Sequence, residues 1–159
     1  MNTPQLLAVG IKNVQFGEGV KVVEPVNIYG CAIGDRCFVG PFVEIQNNVT
    51  IGPRTRVQSH AFICEGVSIG SDCFISHGAM FVNDLFRDGG PAGGDKTKWG
   101  TCEIGDHVSI GTGSTILPVK ICSNVVIGAG SVVTKDISEP GVYAGNPARK
   151  MRGLSPARA

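Results

Sequence analysis

Charge is scarce in this sequence, and its two signs nearly cancel. Charged residues make up 17% of the 159 residues, with 14 Lys and Arg against 13 Asp and Glu. A nucleic-acid-binding surface normally brings a basic excess, so the composition argues against nucleic acid as a partner. Hydrophobic residues make up 42% of the chain. This is enough apolar material for a packed core, which argues against a disordered protein.

The sequence also lacks long apolar runs and a leader-like start. No run approaches the roughly 20 apolar residues that a membrane-spanning helix needs. Residues 1–10 have neither the basic region nor the apolar stretch of a secretory signal. From these absences we predict a cytoplasmic protein with no membrane insertion.

Cysteine is present, but not in a metal-binding or disulfide pattern. No two cysteines form a Cys-x-x-Cys pair, and no cysteine pair precedes a histidine pair at finger spacing. The cysteines are Cys31, Cys37, Cys64, Cys73, Cys102 and Cys122. We predict reduced, structural thiols rather than nucleophiles, because a chain without a secretion signal keeps its thiols reduced. No metal is predicted.

Glycine is abundant and accompanies a repeat of six residues. There are 23 glycines, about twice the usual share. An aliphatic residue or Phe recurs at Ile33, Val39, Ile45, Ile51, Val57, Ile63, Ile69, Ile75 and Phe81. A small or medium residue lies two positions before each of them. The same pattern breaks after Phe81 and resumes from Ile104 to Val133.

A period of six excludes a helical stripe, which would recur at three and four residues. It fits short strands that point one aliphatic and one small side chain inward, because side chains two positions apart share a face. Three strands then make a triangular coil of about 18 residues, and parallel strands of successive coils stack. The sequence therefore predicts an all-β, parallel β-helix of about six coils.

These residues resemble the hexapeptide-repeat family, whose acyltransferases form left-handed parallel β-helices. The resemblance covers residues 11–152 and is strongest over 127–137 and 144–150, the second of which reads Ala-Gly-Asn-Pro-Ala-Arg-Lys. It implies a left-handed β-helix over 1–136, a loop extruded at about 84–101, and a C-terminal cap of the same domain over 137–159. It also implies a homotrimer with active sites between subunits.

The 18-residue coil predicts which corner residues stack. Glu65 and Gly66 are expected beneath Asn83 and Asp84, where the loop departs. At the adjacent corner, residues 59 and 60 are expected beneath His77 and the residue that follows it. The corners therefore predict two separate clusters of polar side chains.

The chemistry of the acceptor is predicted from a missing histidine. The family's O-acetyltransferases place a His near the start of the extruded loop, because a hydroxyl needs a base to become a nucleophile. Residues 81–87 read Phe-Val-Asn-Asp-Leu-Phe-Arg, and the loop contains no His. This departure favours an amine acceptor, which attacks a thioester once it is uncharged and positioned.

Residues 58–67 and 77–85 resemble the bacterial N-acetyltransferases that act on nucleotide-linked 3-amino sugars of surface-polysaccharide, or O-antigen, synthesis. The resemblance implies that Asn83 and Asp84 hold the acceptor amine and accept its proton, directly or through water. His60 joins them as a catalytic candidate. Glu65, with the further candidates His77 and Arg87, is expected in the sugar pocket. The sequence leaves UDP and dTDP open, as well as the sugar.

Acetyl-CoA is expected along the C-terminal coils, between two prisms. Small residues that would let the pantetheine arm approach the backbone are Gly111, Gly113, Ala129 and Gly130. Backbone N–H groups of this segment are candidates for stabilising the oxyanion of the tetrahedral intermediate. Candidate ligands of the phosphates are Lys135, Arg149 and Lys150.

Three alternatives remain open at this point. The first is a sugar O-acetyltransferase that uses His60 or His77 as its base. The second is a zinc-dependent γ-type carbonic anhydrase, which the 17- and 30-residue gaps between His60, His77 and His107 disfavour. The third is a non-catalytic β-helix scaffold, which the extruded loop and the Gly-Asn-Pro-Ala tail disfavour.

Overall fold

The protein folds as a prism with three faces of short parallel strands. The computed structural model describes residues 3–154. The chain visits the three faces in turn, so every third strand shares a sheet. This order confirms the all-β, parallel β-helix that the six-residue repeat predicts.

Each face is one sheet. Face 1 contains β1 (Ile11–Lys12), β4 (Asn27–Tyr29), β7 (Glu44–Ile45), β10 (Phe62–Ile63), β13 (Met80–Phe81), β16 (Thr115–Ile116) and β19 (Val132–Val133). Face 2 contains β2 (Gln15–Phe16), β5 (Ala32–Ile33), β8 (Thr50–Ile51), β11 (Ser68–Ile69), β14 (Glu103–Ile104) and β17 (Lys120–Ile121). Face 3 contains β3 (Lys21–Val22), β6 (Phe38–Val39), β9 (Arg56–Val57), β12 (Phe74–Ile75), β15 (Ser109–Ile110), β18 (Val125–Ile127), β20 (Gly141–Ala144) and β21 (Arg149–Arg152).

The register between coils follows the predicted spacing. Ile45 pairs with Ile63 across β7 and β10, a step of 18 residues. Ile104 pairs with Ile121 across β14 and β17, a step of 17, because one corner residue is missing there. The aliphatic residue of each pair points into the prism and is buried. The repeat therefore sets both the strands and their stacking.

Small residues two positions before the aliphatic ones complete the core. Three of them are polar and fully buried, namely Thr55, Ser114 and Ser131. Each makes a hydrogen bond with the backbone, as when Ser114 Oγ donates to the Gly128 carbonyl at 3.0 Å. Buried hydroxyls with partners avoid the cost of unmade hydrogen bonds.

All six cysteines are free, and five of them are buried. Burial raises the pKa of Cys64 to about 12 and the pKa values of Cys31 and Cys102 to about 11. Thiols with such pKa values stay protonated at neutral pH and are poor nucleophiles. The burial of these cysteines therefore agrees with the prediction that they are structural thiols and not nucleophiles.

The prism is taller than predicted and ends in a C-terminal hairpin on face 3. Face 1 has seven strands and face 3 has eight, so the expectation of about six coils is too low. The extra height comes from the first coil, where the period is weak, and from β20. Strand β21 then turns back antiparallel to β20 at the C-terminal edge of face 3, in the segment where a cap is predicted; residues 155–159 of that predicted cap lie outside the described residues.

Three corners connect the faces. The loop corner follows the strands of face 1 and comprises residues 46–48, 64–66, 82–102, 117–119 and 134–136. The ladder corner follows the strands of face 2 and comprises residues 17–19, 34–36, 52–54, 70–72, 105–107 and 122–124. The histidine corner follows the strands of face 3 and comprises residues 23–25, 40–42, 58–60, 76–78, 111–113 and 128–130. Between residues 3 and 154, no helix has the length and apolar character to cross a membrane.

Candidate functional site

The extruded loop leaves the prism at the loop corner, where it is predicted. It runs from the end of β13 to the start of β14 and contains a single 3-10 turn, Lys96–Lys98. The backbone N–H of Gly100 donates to the Asn83 carbonyl at 2.8 Å and joins the two ends of the loop. Thr101, rather than the predicted Asp84, packs above Gly66, because the chain leaves the coil after Asn83.

Asp84 organises the loop. One carboxylate oxygen accepts the N–H of Phe86 at 2.9 Å and the other accepts the N–H of Ala92 at 2.7 Å. These backbone hydrogen bonds hold the pKa of Asp84 below its usual range, and the charge of Lys98 adds to the effect. A carboxylate stabilised in this way is a weak base, but it remains a negative charge that attracts an ammonium group.

Glu65 anchors the loop to the prism. Its side chain is 13% exposed and forms an ion pair with Lys96 of the 3-10 turn at 2.5 Å. Asn48, from the coil below, donates to the same carboxylate oxygen at 3.2 Å. Lys96 also lies 5.6 Å from the ring centre of the half-buried Trp99. The Glu65 carboxylate is therefore already engaged by protein groups at the predicted sugar pocket.

Arg87 lies at the exposed tip of the loop. The neighbouring Asp88 pairs with Lys98 at 2.8 Å, with both side chains largely exposed. The tip of the loop is therefore exposed, while Asp84 holds the segments on either side of it.

The histidine corner places the two predicted histidines on consecutive coils. The N–H of Gly78 donates to the Ser59 carbonyl at 3.0 Å, which confirms that residues 59 and 60 lie beneath His77 and Gly78. Both histidine side chains are exposed. His60 stacks on Phe42 of the coil below, with ring centres 4.9 Å apart and ring planes 14° apart. The two rings form the lower part of this corner.

Above the histidines the corner carries glycines, and these are of two kinds. A Cβ on Gly111 would lie 2.5 Å from the backbone nitrogen of Ala129, so that glycine is required by the packing of the next coil. A Cβ on Gly113 or Gly130 would meet nothing within 4 Å. The last two positions therefore leave open space beside the backbone, while Ala129 exposes its small side chain next to them.

The backbone N–H groups of these glycines are not free to hold an oxyanion. Gly111 donates to Ile127, Gly113 to the carbonyl of His77, and Gly130 to the carbonyl of residue 112, at 2.8, 3.0 and 2.8 Å. The same hydrogen bonds hold the coils together. These three N–H groups could hold an oxyanion only if those hydrogen bonds were broken, and an oxyanion site in this segment stays a prediction.

The three predicted phosphate ligands do not form one cluster. Lys150 pairs with Glu139 at 2.6 Å, and this contact raises the pKa of Lys150. Arg149 is exposed at the start of β21, near the histidine corner. Lys135 is exposed beyond the end of β19, at the loop corner. Only Arg149 lies near the open glycines and has no acidic partner among the described residues.

The predicted catalytic and substrate-binding residues lie at opposite edges of face 1. His77 precedes β13 and Asn83 follows it, and six residues of extended chain separate them by about 20 Å. Asn83, Asp84, Glu65 and Arg87 therefore share the loop corner, away from the histidines. One chain does not bring the two groups together.

The third histidine lies at neither of these corners. His107 is exposed at the ladder corner, where Arg54 and Asp72 make two side-chain hydrogen bonds of 2.6 Å. On the coil above, Asp106 accepts the N–H of Ser71 at 2.7 Å. Across residues 3–154, no group of three His, Cys, Asp or Glu side chains has the arrangement of a metal site.

Sequence reasoning missed two residues of these corners. Phe42 lies 18 residues before His60, so the coil period could have found it. Lys96 carries no such signal, because the loop has no period and its contact with Glu65 depends on the folded path of the loop.

Two family models match the chain. The bacterial transferase hexapeptide model, described as six repeats, matches residues 30–65, and the hexapeptide repeat of succinyl-transferase matches residues 103–135. Among curated proteins, a Saccharomyces cerevisiae protein provisionally named an acetyltransferase is 53% identical over 53 residues. That match covers 33% of this chain and 27% of the yeast protein. The chain thus matches about a quarter of the length of the curated relatives.

Solved structures match nearly the whole chain. A variant of AntD, described as an N-acyltransferase from Bacillus cereus in complex with dTDP and coenzyme A, superposes with a TM-score of 0.78 at 23% identity. The match covers 89% of this chain and 84% of AntD. A maltose O-acetyltransferase from Clostridium difficile 630 gives a TM-score of 0.58 at 25% identity, over 88% of this chain and 71% of that protein.

The two family models match the six-residue repeat on either side of the extruded loop. The first matched segment, residues 30–65, contains Phe42 and His60, and the second, residues 103–135, contains the open glycines Gly113 and Gly130. The prism has the same overall path as the solved transferases. Two segments of the chain therefore match hexapeptide transferase models, and the fold of the prism is similar to that of the solved transferases.

Proposed function

We propose that the protein is an acetyl-CoA-dependent N-acetyltransferase that acts on the amino group of a nucleotide-linked amino sugar. The observation that carries this proposal is the histidine corner, where two rings are followed by open glycine positions on successive coils. A thioester arm can lie against the backbone at Gly113 and Gly130, because no side chain occupies that space. The dTDP and coenzyme A held by AntD support the same pair of ligands.

An amine acceptor fits the loop corner better than a hydroxyl. The extruded loop contains no His, and the low pKa of Asp84 makes its carboxylate a weak base. A hydroxyl needs a strong base, whereas an amine needs only to lose one proton and be positioned. Asp84 and Asn83 then attract and orient the amine, and its proton leaves to water.

The transfer is a direct exchange between amine and thioester. The neutral amine attacks the thioester carbonyl carbon, so that the C–N bond forms and the C–S bond breaks. The released thiolate takes the proton that the nitrogen loses, which gives an amide and free coenzyme A. Burial raises the pKa values of Cys31 and Cys64, which makes these thiols poor candidates for an acyl-enzyme nucleophile.

In a homotrimer, the loop corner of one protomer can lie beside the histidine corner of the next. Asn83 and His77 lie about 20 Å apart across face 1 of one chain, so a single prism does not form one site. The loop of one protomer can reach the histidine corner of its neighbour if the prisms pack side by side. His60, Glu65, His77 and Arg87 would line the sugar pocket of such an interface, and Arg149 would contact a phosphate of coenzyme A.

The test is thiol release from acetyl-CoA with UDP- and dTDP-linked 3-amino sugars and their 3-hydroxy counterparts. We expect release with an amino sugar and none with the hydroxy compound. Asn83→Ala should lower kcat roughly a hundredfold, as expected for loss of substrate positioning, while the melting temperature stays unchanged. Release with the hydroxy sugars alone, or full turnover by Asn83→Ala, contradicts the proposal.

A sugar O-acetyltransferase is the second candidate. The maltose O-acetyltransferase match and the exposed His60 and His77 favour it. In that case, His77→Ala abolishes turnover with hydroxy acceptors. A non-catalytic scaffold is less favoured, because the returning β21 occupies the C-terminal edge of face 3, where a strand of a further prism would have to pair in parallel.

A further inference from the structure

The lower end of the histidine corner carries an exposed aromatic pair. The corner residues Phe42, His60, Gly78, Gly113 and Gly130 all have positive φ angles, between 61° and 67°. Glycine takes this conformation without steric cost, and Asn and His take it more readily than other residues. Phe42 is therefore the unexpected member of the column.

Packing within the chain does not explain Phe42. A bulky residue in the left-handed region costs about 1–2 kcal/mol, and burial of the ring would offset that cost. The ring is instead 56% exposed, and its one aromatic neighbour, His60, is exposed as well. Arg36 and Arg54 have the same backbone conformation at the ladder corner, so it is the exposed apolar ring rather than the φ angle alone that distinguishes Phe42.

A groove beside Phe42 has the size and chemistry for a flat polar ring. The groove has a volume of about 240 Å³, and Phe42 lines it together with Val9, Pro25, Asn27 and Glu44. Apolar walls suit the faces of a ring, and an amide and a carboxylate suit its edge. The imide edge of uracil or thymine presents one N–H between two carbonyls, which an Asn amide can pair with.

We propose that Phe42, supported from behind by His60, is the stacking surface for the pyrimidine base of the nucleotide sugar. Asn27 lies at the edge of the base in this arrangement. The inference rests on the proposed function and adds to it the place of the nucleotide. His60 lies two coils below Gly113, a separation of about 10 Å, which leaves room for the diphosphate and sugar below the thioester.

The experiment is calorimetric titration of UDP, dTDP and coenzyme A into the wild-type protein and its variants. Phe42→Asn should weaken binding of the preferred nucleotide roughly tenfold or more, because stacking on an aromatic ring is lost. The affinity for coenzyme A should not change. Since Asn favours positive φ, this variant keeps the fold, and its melting temperature should equal or exceed that of the wild type.

Two further variants sharpen the test. Phe74→Ala is the matched control, because Phe74 is a 38% exposed ring on face 3, away from the groove; it should bind nucleotide as the wild type does. Asn27→Ala probes the edge of the base independently, and should weaken nucleotide binding severalfold while Phe42 is intact.

The outcomes separate this inference from the proposed function. If the wild type binds UDP or dTDP and Phe42→Asn binds it equally well, the stacking surface is wrong and the N-acetyltransferase proposal stands. If Phe42→Asn loses coenzyme A instead, the ring pair holds the adenine and the inference is overturned. If the wild type binds neither nucleotide yet acetylates a free sugar, the proposed substrate fails and the inference fails with it.

Discussion

The ladder corner and the histidine corner are built from the same backbone, yet their side chains differ in kind. At the ladder corner, polar side chains bridge coil to coil, as Arg54 does to Asp72 and Asp106 to the Ser71 N–H. At the histidine corner, an aromatic pair is followed by glycines that leave open space. One corner uses its side chains to bridge the coils, and the other leaves its rings exposed and open space beside its backbone.

The largest contrast is expected between two glycines. A Cβ on Gly52 of the ladder corner would lie 2.6 Å from the Gly70 carbonyl carbon, so backbone must move. Gly52→Ala should therefore destabilise the protein by about 1–3 kcal/mol, measured by chemical denaturation. Gly113→Asn adds a side chain at the histidine corner without such a contact and should leave the free energy of unfolding nearly unchanged. Equal destabilisation by both changes would remove the distinction between packed and open glycine positions.

The same Gly113→Asn variant should bind acetyl-CoA more weakly than the wild type does. The added side chain occupies the space proposed for the pantetheine arm, so the Kd for acetyl-CoA should rise roughly tenfold or more. Calorimetric titration measures this, with the nucleotide affinity as the internal control. Unchanged acetyl-CoA binding would place the thioester arm elsewhere on the prism.

The loop corner contains one shielded ion pair and one exposed ion pair, and each is formed by a different lysine. Lys96 pairs with the largely buried Glu65, and Lys98 pairs with the exposed Asp88. Lys96→Ala leaves a shielded carboxylate without its cation, so the loop should be cleaved roughly tenfold faster. Thermolysin is the suitable protease, because trypsin cleaves after lysine and the substitution would remove one of its sites. Lys98→Ala should have little effect, because exposed ion pairs contribute little. Equal sensitivity of the two variants would show that Glu65 does not anchor the loop.

Acid should release the loop before the coils. Folding lowers the pKa of Asp84, so the folded loop binds this proton less readily than the unfolded loop does. The contribution of Asp84 is fully present above the ordinary carboxyl pKa of about 4 and is lost as the pH falls through the lowered value. Hydrogen exchange of the Ala92 amide, corrected for its intrinsic rate, should accelerate below that pH. The Gly111 amide, which holds two coils together, is the control and should stay protected.

The smallest effect is expected within the ladder corner itself. Arg54→Ala removes the two hydrogen bonds to Asp72, but both side chains reach solvent. The melting temperature should fall by less than about 3 °C, and acetyl transfer should be unchanged. A loss of activity would give the ladder corner a part in function that its closed hydrogen bonding does not indicate.

The repeat made the fold predictable, because a side chain that must point inward every six residues leaves few other arrangements. It also placed His77 above residue 59 correctly, since stacking depends only on the coil period. The extruded loop has no period, so the contacts of Asp84 and Glu65 could not be read from the sequence. Gly111 and Gly113 look alike in sequence, and only the position of the next coil distinguishes a packed glycine from an open one.

The C-terminal hairpin of β20 and β21 has a consequence for how the protein responds to force. Hydrogen bonds between coils run along the prism axis, so a pull along that axis loads each coil in turn rather than all at once. The return of β21 on β20 and the pair of Lys150 with Glu139 tie down one end. The first coil has a neighbour on one side only, and its Ile11 and Phe16 are each 42% exposed. Unravelling under force should therefore start at the N-terminal coil and travel toward the hairpin.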